Sequence, residues 1–137
     1  MNRDLLAIAH AVESAYTRHD AIALGALYAA DAALVFPGAT FHGREEIVGM
    51  WRGWFTAFRD VASETHRIFT SNGAFALEWT ERGTNSGEFA LSGTHLPATG
   101  RRLEWTGISR YEVVAGLIDQ VTYYIDPTPL MSILRAR

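Results

Sequence analysis

The first 60 residues carry apolar side chains at the spacing of α-helices. Apolar positions three and four residues apart predict an amphipathic helix over residues 3–18. Asp20 is placed to cap a second helix, whose buried stripe is predicted to run to Tyr28. The segment ALVFPG then predicts a short strand, which its proline and glycine end.

A third helix has the clearest pattern in the chain. Glu45 and Glu46 lie in its first turn, where the helix dipole favours acidic residues. The apolar face that follows contains Ile47, Met50, Trp51, Trp54, Phe55 and Phe58. These positions predict one wide buried face that carries two indole rings.

From residue 61 onward the pattern changes to the alternation of β-strands. Phe75, Leu77 and Trp79 alternate with small or polar residues. A later strand is predicted to share one face among Leu103, Trp105, Gly107, Ser109 and Tyr111. A last strand over 117–125 precedes a short helix in DPTPLMSILRAR. Helices followed by a run of antiparallel strands predict an α+β fold.

The strands carry large residues on both faces of the predicted sheet. Helices can cover one of these faces. The other face must curl over a pocket or meet a second subunit, since an extended apolar surface is rarely left in water.

Composition limits the class of protein. The 137 residues fit one domain, 1–137. The net charge of −3 is spread along the chain, which argues against a nucleic-acid partner. The start MNRDLLAIAH lacks the apolar stretch of a signal peptide, and Asp31 interrupts the alanine-rich segment, so we expect no membrane partner and a cytoplasmic location.

The sequence predicts neither a metal nor a cofactor. Cysteine is absent, and the five histidines form no HxxxH or His-x-His pair with a nearby acid. The glycine-rich phosphate-binding patterns and the GxSxG nucleophile motif are also missing.

Two titratable residues are candidates for acid–base chemistry, and each has a structural alternative. Asp126 follows the last strand, but Asp before Pro127 is also the pattern of a helix cap. His95 precedes a turn set by Pro97 and Gly100; histidine is a common proton-transfer residue, although a solvated loop histidine fits equally.

Other polar and aromatic positions also allow either a functional or a structural interpretation. Tyr16 ends the buried stripe of the first helix and needs a partner for its hydroxyl. Trp54 and Met50 share a helical face that serves as core or as a pocket wall. Glu81 and Arg82 end a strand before a turn, and we interpret both as solvated charges.

The order of elements resembles the nuclear-transport-factor-2-like superfamily. The resemblance is carried by VESAYTRHD, by LYAADAALVFPGATFHGREEIVGMW and by LPATGRRLEWTGISRYEVVAGLIDQVTYYIDPTPLMSIL. The last of these is similar to the SnoaL-like, polyketide cyclase-like branch. This resemblance implies a cone-shaped curved antiparallel sheet packed against the N-terminal helices, with a pocket between them. It also implies a homodimer formed through the outer face of the sheet.

The catalytic residues of the family are only partly retained. Tyr123 stands where the polyketide cyclases have an acid–base aspartate, and Ser109 falls near their histidine. Tyr16 matches their pocket aromatic, and Met50 falls on a pocket-facing position. The catalytic residues of the ketosteroid isomerases fall on Phe36, Val12 and Gly107. Of the limonene epoxide hydrolase pattern, this chain keeps only the arginine, as Arg82.

These observations give one site hypothesis. The candidate catalytic residues are Tyr123, Asp126, His95 and Tyr16. The candidate ligand pocket comprises Tyr16, Phe36, Met50, Trp54, Trp105, Gly107, Ser109 and Tyr123. Small residues at 107 and 109 are expected to leave volume for a ligand. Tyrosines are poor bases at neutral pH, so a base would come from Asp126, His95 or Glu78.

Three functions remain open from the sequence. The first is a cofactor-independent cyclase, isomerase, dehydratase or hydrolase acting on a small apolar carbonyl compound. The second is a non-catalytic protein that binds a small hydrophobic molecule. The third is an interaction module that pairs through the outer face of its sheet.

Overall fold

The structure is a computed structural model that describes residues 2–91 and 94–132. Its helices are α1 (Asn2–Thr17), α2 (Ala21–Ala26), α3 (Arg44–Ala57) and α4 (Thr128–Met131). The predicted helices at the start of the chain are confirmed. The Asp20 carboxylate caps α2 by accepting a hydrogen bond from the Ala23 backbone amide at 2.9 Å. The predicted closing helix reaches into residues 133–137, which lie outside the described residues.

Eight strands follow the helices or lie between them. They are β1 (Tyr28–Phe36), β2 (Ala39–His42), β3 (Ala62–Ser71), β4 (Ala74–Thr84), β5 (Phe89–Leu91), β6 (Thr94–Leu96), β7 (Arg102–Val114) and β8 (Leu117–Ile125). Tyr28, predicted as the last buried residue of a helix, instead begins β1. The last strand has the predicted bounds.

Six strands form one curved sheet in the order β2-β1-β8-β7-β4-β3, and β5 pairs with β6. The sheet is mixed, which corrects the expectation of a wholly antiparallel sheet. β1 runs parallel to β8, with Leu34 opposite Val121. A parallel pair needs a long connection between its strands, and here most of the chain, including α3, lies between them.

The core lies between one face of the sheet and helices α1 and α3. Phe75, Leu77 and Trp79 of β4 are buried on this inner face, as their alternation predicted. The predicted apolar face of α3 is also buried, and its indoles meet Trp105 of β7 and Tyr123 of β8. The inner face of β7 adds Tyr111 to the core. The core is therefore rich in aromatic rings that meet edge to face or stacked.

Gly107 brings strands β7 and β8 and the Trp79 ring close together. A Cβ atom at this position would lie 2.6 Å from the Tyr124 carbonyl oxygen and 2.8 Å from Cη2 of Trp79. Gly107 lies opposite Trp79 in the β4–β7 register, so the indole occupies the space that a side chain would take. The expectation that Gly107 leaves room for a ligand is therefore corrected.

The segment between β6 and β7 is held to the end of β4 by one buried side chain. Asn85, fully buried, accepts hydrogen bonds from the Thr99 amide at 2.9 Å and the Thr99 hydroxyl at 2.7 Å. Its own amide donates to the Gly87 carbonyl at 3.0 Å. The turn that contains Gly100 is thereby tied to the body of the molecule.

The outer face of the sheet is not covered by any described helix of the chain. Phe69, Ile108 and Tyr124 are exposed there, with Ile108 directly opposite Tyr124 across β7 and β8. None of the described helices is long and apolar enough to cross a membrane.

Candidate functional site

Two neighbouring cavities lie between the helices and the inner face of the sheet. The larger has a volume of about 180 Å³ and the smaller about 40 Å³. Both cavities are lined by Tyr16, Trp51, Trp79, Glu81 and Tyr123. These five side chains therefore mark the place where a ligand could touch both spaces.

Among the described residues, Glu81 is the one carboxylate that borders both cavities. It lies on β4, on the same face as Leu77 and Trp79, and only 8% of it is exposed. Its cross-strand neighbours are Ser63 on β3 and Trp105 on β7. The Trp105 indole donates a hydrogen bond to Oε1 of Glu81 at 3.0 Å.

Burial raises the pKa of Glu81 to about 7. The hydrogen bond from the Trp105 indole and the nearby Tyr16 and Ser63 hydroxyls partly offset this rise, because they stabilise the ionised form. Near neutral pH the carboxyl group is therefore present in both protonation states. That is the range in which a general base or acid works best.

Tyr16 is held between α3 and Glu81. The Trp54 indole donates to the Tyr16 oxygen at 2.9 Å in a buried hydrogen bond between α3 and α1. The Tyr16 hydroxyl lies close enough to Glu81 to lower the pKa of that carboxyl group. The bond from Trp54 therefore fixes the tyrosine beside the carboxylate.

Four of the five tyrosines line the larger cavity. They are Tyr16, Tyr28, Tyr111 and Tyr123. Burial is the main cause that raises the pKa of all four phenols above the ordinary value. They remain protonated at physiological pH and serve as hydrogen-bond donors rather than bases.

Most of the predicted pocket residues meet in these cavities. Tyr16 and Tyr123 line both, and Ser109 lines the larger one. The smaller cavity is lined by Phe36, Trp54 and Trp105 among others.

Met50 and Gly107 line neither cavity. Met50 is 6% exposed and belongs to the packed core. Gly107 allows the close approach of the Trp79 ring described above.

His95 and Asp126 lie away from both cavities. The His95 ring is largely exposed and its Nε2 lies 3.1 Å from a Glu88 carboxylate oxygen. Asp126 is exposed, and its carboxylate accepts a hydrogen bond from the Thr128 amide at 3.0 Å, at the start of α4. That backbone bond lowers the pKa of Asp126. Neither residue enters the proposed chemistry, and neither does Glu78, whose neighbours in β4 occupy the inner face.

Glu81 is the functional candidate that sequence reasoning missed, because it was interpreted as a solvated charge at a strand end. The signal was present in the alternation of Phe75, Leu77 and Trp79, which continues to Glu81. β4 runs to Thr84, so residue 81 still lies inside the strand and faces inward.

Nothing in the described ranges suggests a metal centre. Residues 2–91 and 94–132 contain no cluster of three or more side chains that could hold a metal ion. The site is instead built from the carboxylates Glu13 and Glu81, several phenols and indole rings.

Comparison with known proteins identifies the family. The sequence pattern of the SnoaL-like domain matches residues 8–121, most of the chain. The chain belongs to the SnoaL-like family. No match was found among curated proteins.

Solved structures with the same fold cover nearly the whole SnoaL-like chain. A candidate SnoaL-like polyketide cyclase from Jannaschia sp. CCS1 is 12% identical, with a TM-score of 0.86 over 98% of this chain and 94% of that one. IdmH, a candidate polyketide cyclase from Streptomyces antibioticus, is 25% identical, with a TM-score of 0.73 over 94% and 96%. An NTF2-like protein of unknown function from Burkholderia pseudomallei is 16% identical, with a TM-score of 0.80 over 97% and 98%. These likenesses confirm the NTF2-like α+β fold.

Proposed function

We propose that this SnoaL-like protein is a cofactor-independent enzyme that uses Glu81 as its acid–base group on a small carbonyl compound. The observation that carries the proposal is the position of Glu81, a buried carboxylate whose pKa lies near 7, at the junction of two cavities. A group with such a pKa accepts and returns a proton at neutral pH.

The reaction begins at a carbon next to the carbonyl group. The Glu81 carboxylate removes a proton from this carbon, and the C–H electron pair forms a C=C bond while the carbonyl oxygen becomes an enolate. Phenol hydroxyls in the larger cavity donate hydrogen bonds to that oxygen, where the negative charge develops. In a conjugated enolate, return of the proton from Glu81 to the far carbon gives an isomer. Attack of the enolate carbon on a second carbonyl closes a ring, and the alkoxide oxygen formed there takes the proton from Glu81.

The relatives support ring closure as one outcome of this chemistry. IdmH and the Jannaschia protein are both candidate polyketide cyclases. Resemblance to the cyclases implies an acid–base aspartate where this chain has Tyr123. In this chain Glu81 on β4 supplies a carboxylate to the same cavity that Tyr123 lines.

The ligand is a small, largely apolar molecule. Aromatic and aliphatic side chains dominate the smaller cavity, including Phe36, Phe89 and Leu130. The larger cavity combines aromatic walls with hydroxyl groups, which suits an oxygen-bearing ring or short chain.

Exchange of hydrogen for deuterium tests the proposal without knowledge of the natural substrate. Acetophenone in D₂O would exchange its methyl protons in the presence of the protein, followed by NMR. We expect the protein-catalysed rate to rise with pH through about 7, where Glu81 ionises. Glu81→Gln should lower this rate roughly 100-fold or more, since general-base catalysis contributes at least that factor.

Glu78→Gln is the matched control, because Glu78 lies on the same strand and its neighbours face the cavities. It should exchange acetophenone protons at the wild-type rate. If the wild-type protein binds acetophenone but exchanges its protons no faster than buffer, the acid–base proposal is wrong and a binding protein remains. An unchanged rate in Glu81→Gln would overturn the assignment of the base.

A further inference from the structure

All four tryptophans are buried and line the cavities, but their indole N–H groups differ in one respect. Three of the four are satisfied inside the protein. Trp54 donates to the Tyr16 hydroxyl at 2.9 Å, Trp79 to the Ser109 hydroxyl at 3.1 Å, and Trp105 to the Glu81 carboxylate at 3.0 Å. The N–H groups of these three rings are therefore engaged in the absence of a ligand.

Trp51 is the exception. It is 3% exposed, and its Nε1 makes no hydrogen bond to any residue in the described ranges. The Tyr28 hydroxyl is close enough for Trp51 to lower the Tyr28 pKa slightly, but the pair does not reach hydrogen-bond geometry. A buried N–H without a partner is unfavourable, and such groups are few in native proteins.

The Trp51 indole is held firmly by its neighbours. It meets the Tyr16 ring edge to face at 5.6 Å, stacks on Phe55 at 5.9 Å, and meets Tyr123 at 6.1 Å. The direction of its N–H is therefore set before a ligand arrives, which is the arrangement that makes a donor effective.

The surroundings of Trp51 determine what could pair with it. Its indole can only donate, and the phenols beside it are kept protonated by burial. An occupant that satisfies Trp51 must therefore carry an acceptor, such as a carbonyl or enolate oxygen. A cavity of about 150 Å³ accommodates benzene, so the larger cavity, at about 180 Å³, has room for a six-membered ring.

We propose that the Trp51 N–H binds the carbonyl oxygen of a ring-sized ketone, so that the adjacent carbon lies towards Glu81. Both side chains border both cavities, so the Trp51 ring and the Glu81 carboxyl group lie around one ligand volume. This inference rests on the proposed function for the reaction that follows, but not for the binding itself.

Two molecules of nearly the same shape separate the oxygen contact from hydrophobic burial. Acetophenone carries a carbonyl oxygen where α-methylstyrene carries a CH₂ group. We expect the wild-type protein to bind acetophenone roughly tenfold more tightly, since one N–H to oxygen bond is made in one complex and left unmade in the other. In a ¹H–¹⁵N spectrum, acetophenone should shift the indole signal that Trp51→Phe removes, whereas α-methylstyrene should leave its N–H shift close to that of the free protein.

Variants assign the preference to one ring. Trp51→Phe should abolish the roughly tenfold preference for acetophenone by removing the donor. Trp79→Phe is the matched control, because Trp79 lines the same two cavities but its N–H is already paired with Ser109. It should retain the preference for acetophenone over α-methylstyrene.

Equal affinities for the two probes, an unmoved Trp51 signal at saturating acetophenone, or failure of acetophenone to bind would each overturn the inference. If Trp51→Phe fails to fold, single Phe variants of the other three tryptophans each remove one indole signal, and the signal that remains in all of them is that of Trp51. Glu81→Gln should still show the Trp51 shift, because the contact does not require proton transfer. If the Trp51 shift is retained but proton exchange is lost, the result concerns only the role of Glu81. If proton exchange is retained but the Trp51 shift is absent, only the role of Trp51 is refuted.

Discussion

A buried carboxylate is costly, and the hydrogen bonds around Glu81 only partly compensate for its loss of water. Burial is the largest influence on its pKa and raises it despite contacts from Tyr16, Trp105 and Ser63. A functional group tolerated at such a cost is typical of a site rather than of a scaffold. Because of the same cost, the ionisation of Glu81 should affect the measured free energy of unfolding.

The stability of the protein should fall as pH rises because of Glu81. Its pKa is about 7 when folded and near 4.5 when unfolded, so the folded state holds more protons between these values. The wild-type protein should therefore lose on the order of 3 kcal/mol of unfolding free energy across that window. Denaturant unfolding at pH 4.5 and pH 8 would measure this loss.

Glu81→Gln has no carboxyl group to titrate at this position, so its unfolding free energy should depend less on pH. The stability of the variant relative to the wild type should therefore increase as pH rises. Glu78→Gln should keep the wild-type dependence. A wild-type protein with the same unfolding free energy at both pH values would show that Glu81 does not titrate in this way.

Individual site residues could be predicted where their role follows from local pattern. Tyr16 and Tyr123 were predicted for the pocket, and both line it. Glu81 was missed because alternation gives the face of a strand but not where the strand ends. The influence of Tyr16 on Glu81 and the bond from Trp105 depend on helix packing and on cross-strand register, which the sequence does not show.

Strands β4, β7 and β8 are held in register by a close contact at Gly107. The backbone of β8 and the ring of Trp79 both occupy space beside its Cα. Small residues in a strand can mark a cavity or a close approach, and the sequence alone does not distinguish these cases. The helices were more predictable, since α1 and α3 each carry their buried residues at helical spacing.

Two glycine substitutions should have opposite effects on the free energy of unfolding. Gly107→Ala should destabilise the protein by about 2–3 kcal/mol, because the new methyl group meets backbone and indole atoms in a packed region. Gly49→Ala in α3 should stabilise it by roughly 1 kcal/mol, because the added methyl group meets nothing within 4 Å and alanine favours helices. Denaturant unfolding of both variants would measure the pair, and a neutral Gly107→Ala would contradict the close packing.

At the scale of the whole molecule, the parallel pairing of β1 with β8 was not predictable. The two strands are far apart in sequence, and their hydrophobic patterns do not specify direction. The α+β class and the covering of one sheet face by helices follow from pattern alone. On the second face, Phe69, Ile108 and Tyr124 are exposed, and exposed apolar patches often mark interaction surfaces.

We propose that a second copy of the chain covers this outer face. The protein should then show a solution mass twice its chain mass of 15.2 kDa. Ile108→Asp should shift it to the monomer, because an unpaired carboxylate in the interface is unfavourable. Val114→Asp, at an exposed position near the end of β7, is the control and should remain dimeric. A monomeric wild-type protein by light scattering would exclude this arrangement.

Because Glu81 borders both cavities, its proton links their occupants. An apolar group in the smaller cavity makes the surroundings of the carboxyl group less polar and favours its neutral form. The neutral acid presents an O–H donor to the larger cavity, where the carboxylate presented only acceptors. The part of a long ligand in the smaller cavity would thus set the protonation state of Glu81 that the part in the larger cavity meets.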